Sequence, residues 1–102
     1  MKITIQTTGF EVSKELRAFV ERNLEKFEKI PITEAEVYLK TNAGTMIQNR
    51  LCEIKLVIPG KDLFASNEGA TFEIAIHNAV DALRHQVDLL RTNREKRRAI
   101  QG

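Results

Sequence analysis

Two histidines and one cysteine are the side chains of this sequence that could carry acid–base, nucleophilic or metal chemistry. His77 and His85 lie eight residues apart on a predicted helix, so at about 100° per residue they point roughly 80° apart and do not form an adjacent ligand pair. Cys52 falls in an alternating apolar run, where a small buried side chain is more common than a nucleophile. The sequence has no glycine-rich phosphate loop, HExxH motif or serine elbow, and no carboxylate stands in the apolar stretch that suits a general acid or base. The sequence therefore favours a binding protein over an enzyme, with neither a cofactor nor a metal ion.

Basic side chains offer a second kind of chemistry, the binding of a polyanion. Residues 84–98 contain six basic and two acidic side chains, a net charge of +4, and since the whole chain carries +2 the rest carries −2. Such an asymmetry indicates a polyanionic partner. The end of the chain, RTNREKRRAIQG, lies beyond the last position of the apolar stripe, Leu90, and only Glu95 can offset its final cations. Packing of a helix does not require these cations, which are Arg94, Lys96, Arg97 and Arg98.

The cations upstream are sorted onto helix edges. Arg22, Lys26 and Lys29 share one narrow arc of the first predicted helix, apart from the arc that holds its glutamates. Arg84, Arg91 and Arg98 stand seven apart and share an edge of the second. Phosphates need cations spaced along a surface in this way.

Both helix edges also have a simpler interpretation. Asp81, Asp88 and Glu95 recur every seven residues beside the arginine edge, and pairs three or four apart would support a long exposed helix by about 0.2–0.5 kcal/mol each. For Arg84 and Arg91, salt-bridge support and phosphate contact therefore both stay open. For Arg22, Lys26 and Lys29 the alternative is a solvated helix face.

The elements that must position these cations follow from apolar periodicity and from turn signals. Ser13 is a candidate N-cap for a helix whose apolar stripe runs to about residue 29 before Pro31, and Thr71 is a candidate N-cap for a second helix with a stripe from Phe72 to Leu90. Alternation predicts strands, with a loop at 41–48, a turn at Pro59-Gly60 and a break at Glu68-Gly69; the strands are residues 1–7, 32–40, 49–58 and 61–67.

The predicted order β-α-β-β-β-α indicates an α+β fold in which two helices pack on one face of a four-stranded sheet. Residues 1–90 are expected to form a single domain, and residues 91–102 a basic extension of the second helix or a flexible tail. Tyr38 is the one aromatic predicted on the open face, and its neighbours are acidic, so the face lacks a platform for stacking RNA bases. The residues predicted on that face are Lys2, Thr4, Gln6, Glu34, Glu36, Tyr38, Lys40, Glu53 and Lys55.

The sequence also predicts a cytoplasmic location without membrane contact. A single cysteine excludes an intramolecular disulfide and suits a reducing compartment. No apolar run reaches membrane-spanning length, and the start of the chain, MKITIQTTGF, lacks the apolar segment of a signal peptide.

Three stretches resemble the ribosome hibernation promoting factor family, which includes ribosome-associated translation inhibitors of the cold-shock protein Y type. They are LRAFVERNLEKFEK, ASNEGATFEIAIHNAVDALRHQV and the basic end, and the resemblance runs over nearly the whole length of the chain. The resemblance implies helices on one face of the sheet and binding to the small ribosomal subunit, in the cleft between head and body. Basic side chains would contact ribosomal RNA there, in the path of messenger and transfer RNA. Translation would be blocked in idle or stressed cells by occlusion and not by catalysis.

The carry-over of site residues is partial. Lys26 matches a basic position of the family's first helix, and Arg91 lies in the basic region of the second. His85 stands where an arginine is usual, and Asn23, Ala82 and Leu89 stand where lysines are frequent. The ending NREKRRA resembles the basic extension of some short members, to which affinity would then have shifted. The predicted RNA-binding residues are Arg22, Lys26, Lys29, Arg84, His85, Arg91, Arg94, Lys96, Arg97 and Arg98.

Two other function classes stay open. A double-stranded RNA-binding module shares the β-β-β-α order, but it needs cations at a helix N-terminus, and the second helix begins Thr71-Phe72-Glu73 with no cation before Arg84. A protein-interaction module would use the mixed-charge sheet face. Long family members continue into a dimerisation domain, so this chain is expected to act as a monomer, with no small-molecule substrate.

Overall fold

The computed structural model describes residues 1–41 and 50–101, with the side chains of 1–41 and 50–91. The element order confirms the predicted β-α-β-β-β-α arrangement. The elements are β1 (Lys2–Thr8), α1 (Lys14–Leu24) with a following 3₁₀ turn (Glu25–Phe27), β2 (Glu34–Thr41), β3 (Arg50–Ile58), β4 (Lys61–Gly69) and α2 (Phe72–Gln101). Of the predicted loop at 41–48, Thr41 ends β2 and the remainder lies outside the described residues.

The four strands lie in the order β1-β2-β3-β4, with β1 parallel to β2 and the other pairs antiparallel. Alternate residues of each strand face the helices, and facing partners such as Val37 with Ile54 and Leu39 with Cys52 are buried. Both helices cover this same face, since Val20 of α1 and Leu83 of α2 are fully buried in the one apolar cluster. The predicted arrangement of two helices on one face is confirmed.

The first helix begins as predicted but ends in a tighter turn. Ser13 Oγ accepts a hydrogen bond from the Leu16 N–H at 3.0 Å, which confirms the N-cap. The α-helix stops at Leu24 and not near residue 29, and the chain continues as a 3₁₀ turn to Phe27. Residues three apart eclipse each other in a 3₁₀ turn, so Phe27 follows Leu24 into the core and both are 1% exposed. The tighter turn ends before Pro31.

The predicted break at Glu68-Gly69 is wrong, because both residues pair with β3, opposite Leu51 and Arg50. Gly69 does not end the strand; it allows the backbone of β4 to lie close to the first turn of α2. A Cβ at this position would lie 2.8 Å from the Ala75 nitrogen and 2.8 Å from Ile74 Cγ2. The missing side chain lets the last residue of β4 touch the first turn of α2.

The second helix begins with the predicted cap and continues past its apolar stripe. Thr71 Oγ1 accepts from the Ile74 N–H at 3.1 Å. The helix then continues to Gln101, so the backbone of residues 91–101, most of the predicted basic extension, belongs to α2. At 1.5 Å per residue this part of the helix adds about 16 Å beyond Leu90.

Candidate nucleic-acid interface

A groove lies where the end of the first helical segment meets α2. Four of its lining side chains are cations that the sequence had singled out: Lys26, Lys29, Arg84 and Arg91. We call this hollow the basic groove. Phe27 and Val87, both buried, form its floor, and Ile30 and Asp88 also line it. The four cations are exposed, as phosphate contacts require.

Local structure explains why two distant segments place cations at one groove. Lys26 lies within the 3₁₀ turn and Lys29 directly follows it, at the point where Phe27 enters the core. On α2, Arg84 and Arg91 stand seven residues apart, so they share an edge next to the buried stripe that contains Leu83 and Val87. Packing of these two apolar stripes therefore aligns the two basic edges.

Arg22 extends this surface and His85 does not. Arg22 lines an adjoining depression together with Phe19, Asn23 and Lys26, so Lys26 is common to both hollows. Asn23, at a position where the family often has lysine, donates its side-chain amide to the Phe19 carbonyl at 2.9 Å. His85 is exposed on α2, outside the described lining of either hollow.

The charge balance of the groove is strongly positive. Among its described lining residues, four cations face one carboxylate, that of Asp88. The ion pairs within residues 1–41 and 50–91 include Lys55 with Glu36, Lys55 with Asp62 and His77 with Asp81, and none of these three involves a cation of the groove. A concave surface of this charge attracts a polyanion.

Four of the sequence-predicted cations lie farther along α2. Arg94, Lys96, Arg97 and Arg98 belong to the helical backbone that ends at Gln101, and their side chains lie outside the described residues. Arg98 follows Arg91 by seven residues on the same helix, so the backbone continues the line of Arg84 and Arg91.

The open face of the sheet holds the predicted residues and also residues of β4, among them a second aromatic side chain. Phe64, which is 53% exposed, stands beside Lys55 on this face, so Tyr38 is not its only aromatic. Alternation was the signal for it, because Leu63 and Ala65 are buried and the residue between them must point outward. Glu36 and Glu53 line the same hollow, which disfavours phosphate there.

The cysteine and one of the histidines, which could in principle serve catalysis or bind a metal ion, have other surroundings in this fold. Cys52 is fully buried, and desolvation by burial, with a further contribution from the charge of Glu53, raises the pKa of its thiol from 9.0 to about 12. His77 Nε2 lies 3.2 Å from Asp81 Oδ2, one turn along the exposed side of α2. The described residues contain no group of three or more side chains placed to hold a metal ion.

The two helices also give information about double-stranded RNA and membranes as possible partners. The first turn of α2 is acidic through Glu73, so it does not provide the cationic N-terminus that a double-stranded RNA-binding module needs. Among the described segments, no helix is both long and apolar enough to cross a membrane.

Known structures share the fold of this chain, and a family model matches its sequence. A structure of a ribosomal subunit interface protein from Coxiella burnetii has a TM-score of 0.77 at 18% identity, covering 90% of this chain and 99% of that one; at this identity the likeness shows the fold alone. The Protein Y N-terminal domain of Thermus thermophilus has a TM-score of 0.77 at 28% identity, covering 88% of this chain and 99% of that one. No curated protein matches the sequence. The family model described as sigma 54 modulation protein / S30EA ribosomal protein matches residues 3–98, so the chain belongs to this family.

Proposed function

We propose that this protein binds the small ribosomal subunit through ribosomal RNA, in the path of messenger and transfer RNA, and inhibits translation by occlusion. Membership of the S30EA ribosomal protein family supports association with the ribosome. The similar structures are named as a ribosomal subunit interface protein and as a Protein Y N-terminal domain. Acting on ribosomes, the protein works in the cytoplasm and serves cells that are idle or stressed.

The basic groove is the observation that carries the proposal. Lys26 and Lys29 come from one segment and Arg84 and Arg91 from another, and the fold places all four around one hollow. Each phosphate that a cation neutralises releases counterions, which lowers the logarithm of the affinity by about 0.7–0.9 per tenfold rise in salt. Four contacts make binding strongly dependent on salt, and Arg22 adds a fifth cation beside them.

The part of α2 beyond Leu90 extends this surface. Its helical backbone carries four further cations, of which Arg98 continues the line of Arg84 and Arg91; the other three, at other angles around the helix, are Arg94, Lys96 and Arg97. A helix that projects about 16 Å past the core can follow an RNA backbone that the core itself does not reach. In this proposal residues 91–102 extend the contact surface beyond the packed domain of residues 1–90, and Arg91 belongs to both the groove and the extension.

Inhibition by occlusion requires only that a stably folded protein occupies the path of messenger and transfer RNA. The core is a single apolar cluster that joins both helices to all four strands, so the groove keeps its shape on binding. No bond is made or broken in this mechanism. Inhibition lasts as long as the protein stays bound, and messenger RNA with initiator transfer RNA should displace it by competing for the same space.

Sedimentation with purified ribosomes tests the proposal. The protein should travel with the small subunit, reduce translation in vitro and leave the pellet when messenger and initiator transfer RNA are added. The double variant Lys26→Gln with Arg91→Gln should bind at least about tenfold more weakly, because it removes two phosphate contacts. The matched control Lys2→Gln with Lys40→Gln removes the same charge from the open sheet face and should bind like the wild type.

Equal losses in the two double variants would show that net charge, and not the basic groove, sets the affinity. Sedimentation with the large subunit alone, or binding that messenger and transfer RNA leave unchanged, would contradict the proposed location.

A further inference from the structure

A second hollow adjoins the basic groove and differs from it in character. Apolar side chains make up most of its lining, and the two cations Lys29 and Arg91 also line it. We call it the apolar seat, and its lining residues are Lys29, Ile30, Pro31, Ile58, Val87, Leu90 and Arg91. Lys29, Ile30, Val87 and Arg91 also line the basic groove, so the two hollows are continuous.

The apolar seat is held open by the fold. Ile30 of the connection before β2, Ile58 of β3 and Leu90 of α2 pack against the core and remain only partly buried. Backbone hydrogen bonds from the Ile30 N–H to the Phe27 carbonyl at 3.0 Å and from the Ile32 N–H to the Ile30 carbonyl at 2.7 Å fix the rim. The hollow measures about 190 Å³, below the roughly 300–1,000 Å³ of sites for drug-sized ligands. It suits one flat apolar group.

Its ligand must combine an apolar group with negative charge. Lys29 and Arg91 are both exposed at the edge of the hollow, so anions can approach both of them. A nucleotide combines an uncharged planar base with a negatively charged phosphate. The neighbouring nucleotides of the same strand can then bind along the basic groove. Charge complementarity and the continuity with the basic groove therefore favour RNA over an apolar peptide.

We propose that the apolar seat receives one unpaired nucleobase of the bound RNA, while the flanking phosphates lie on Lys29 and Arg91. This inference rests on the proposed function, since it names the RNA feature that the same surface recognises. Bases stacked inside an A-form helix cannot reach such a hollow, whereas bases in loops, bulges and ends can be turned outward. The seat thus directs the protein to irregular RNA and away from plain duplex.

Two synthetic RNA hairpins test the seat without the ribosome. One carries a single unpaired adenosine in its stem, and the other has an abasic ribose at the same position. They have the same charge and backbone, so only the base differs. The wild type should bind the adenosine hairpin at least about fivefold more tightly, because only this hairpin has a base to bury in the apolar hollow.

Adjacent leucines provide a matched pair of variants. Leu90→Asn makes the seat polar and should bring the two hairpins to equal affinity. Leu89→Asn changes a neighbouring leucine that is 53% exposed and outside the described lining of the seat, and it should keep the wild-type preference. Lys29→Gln should weaken binding of both hairpins by the same factor, because both keep the phosphate.

Equal wild-type affinity for the two hairpins, or no binding of either, would overturn the inference whatever the variants do. Retention of the preference in Leu90→Asn would overturn it as well. Ribosome binding together with equal hairpin affinities would reject the seat and leave the proposed function standing. Preference for the adenosine hairpin without binding to ribosomes would support the apolar seat and reject the proposed function.

Discussion

At the scale of single residues, the cations of the groove were predictable and the apolar seat was not. Arg22, Lys26, Lys29, Arg84 and Arg91 could be selected from their spacing on two helices, and the fold brings them to adjoining hollows. His85 was predicted from the family resemblance, as the residue at a position where arginine is usual, and it lies outside the described linings. Helical spacing fixes the direction of a side chain on its own helix, while proximity between helices depends on packing.

The seat escaped prediction because its walls come from separate elements. Pro31 follows the first helical segment, Ile58 ends β3 and Leu90 lies far along α2. Each residue has an ordinary role in the sequence, as a helix stop, a strand residue and a stripe residue. Only the sheet order and the packing of α2 bring them together.

Cys52 provides a prediction that depends on burial alone. Its side chain is fully buried, so native protein at pH 8 should react with a disulfide reagent far more slowly than protein in denaturant. Absorbance of the released thiol measures this rate directly. Equally fast reaction in the native state would show that the strand β3 opens readily.

The raised pKa of Cys52 also predicts how stability changes at alkaline pH. Folding raises the pKa of the thiol from 9.0 to about 12, so the folded state favours the neutral thiol. The resulting stabilisation is complete below pH 9 and is lost as the pH rises from 9 towards 12, by at most about 1.4 kcal/mol per pH unit. Urea unfolding at pH 8 and pH 11 should show a larger fall for the wild type than for Cys52→Ala, which lacks the titrating group.

At the scale of elements, most of the architecture follows from alternation and caps. Ser13 and Thr71 cap the two helices as predicted, and the residues that alternation selects face the core, fully buried for the most part in β2 and β3 and partly buried in β1. The errors fall at element ends. Leu24 and Phe27 share the core through a 3₁₀ turn, and Gly69 continues β4, because tertiary contacts there outweigh the local signal.

The contact between β4 and α2 predicts a cost for a side chain at Gly69. Gly69→Ala would place a methyl group 2.8 Å from the Ala75 nitrogen, which is backbone and cannot move aside. We expect the free energy of unfolding to fall by about 1–3 kcal/mol, as in other overpacked sites. Urea unfolding measures it, with Ala70→Ser at the exposed next position as a control that should change stability by less than about 0.5 kcal/mol.

The distal part of α2 makes a prediction about salt dependence. Replacing Arg94, Lys96, Arg97 and Arg98 together by alanine should flatten the plot of the logarithm of ribosome affinity against that of salt concentration. Each lost phosphate contact removes about 0.7–0.9 from the slope. Alanine at Lys2, Lys14, Lys40 and Lys61 removes the same charge elsewhere and should leave the slope nearly unchanged. A slope that stays the same in the first variant would refute the role of the extension.

At the scale of the whole molecule, the two sides of the sheet have different characters. The helical side carries the basic groove and the apolar seat, and the open side carries Glu36, Glu53 and the paired Lys55 around Tyr38 and Phe64. This difference makes the orientation on RNA a definite expectation. The helices should face the RNA and the open sheet should face away from it.

The buried cysteine makes this orientation measurable. A cysteine introduced at an exposed position is the one site that a reagent modifies, because Cys52 is fully buried. Ala18→Cys lies one helical turn before Arg22, on the helical side, and Ser66→Cys lies on the open face opposite Glu53. Both replaced residues are small and exposed, so neither variant should disturb the fold.

Directed cleavage of ribosomal RNA by an iron chelate attached at these two positions tests the central claim most directly. With the protein bound to ribosomes, the chelate at position 18 should cleave small-subunit RNA at a few discrete places, and the chelate at position 66 should cleave there weakly or not at all. Strong cleavage from position 66 without cleavage from position 18, or cleavage confined to large-subunit RNA, would contradict binding through the basic groove.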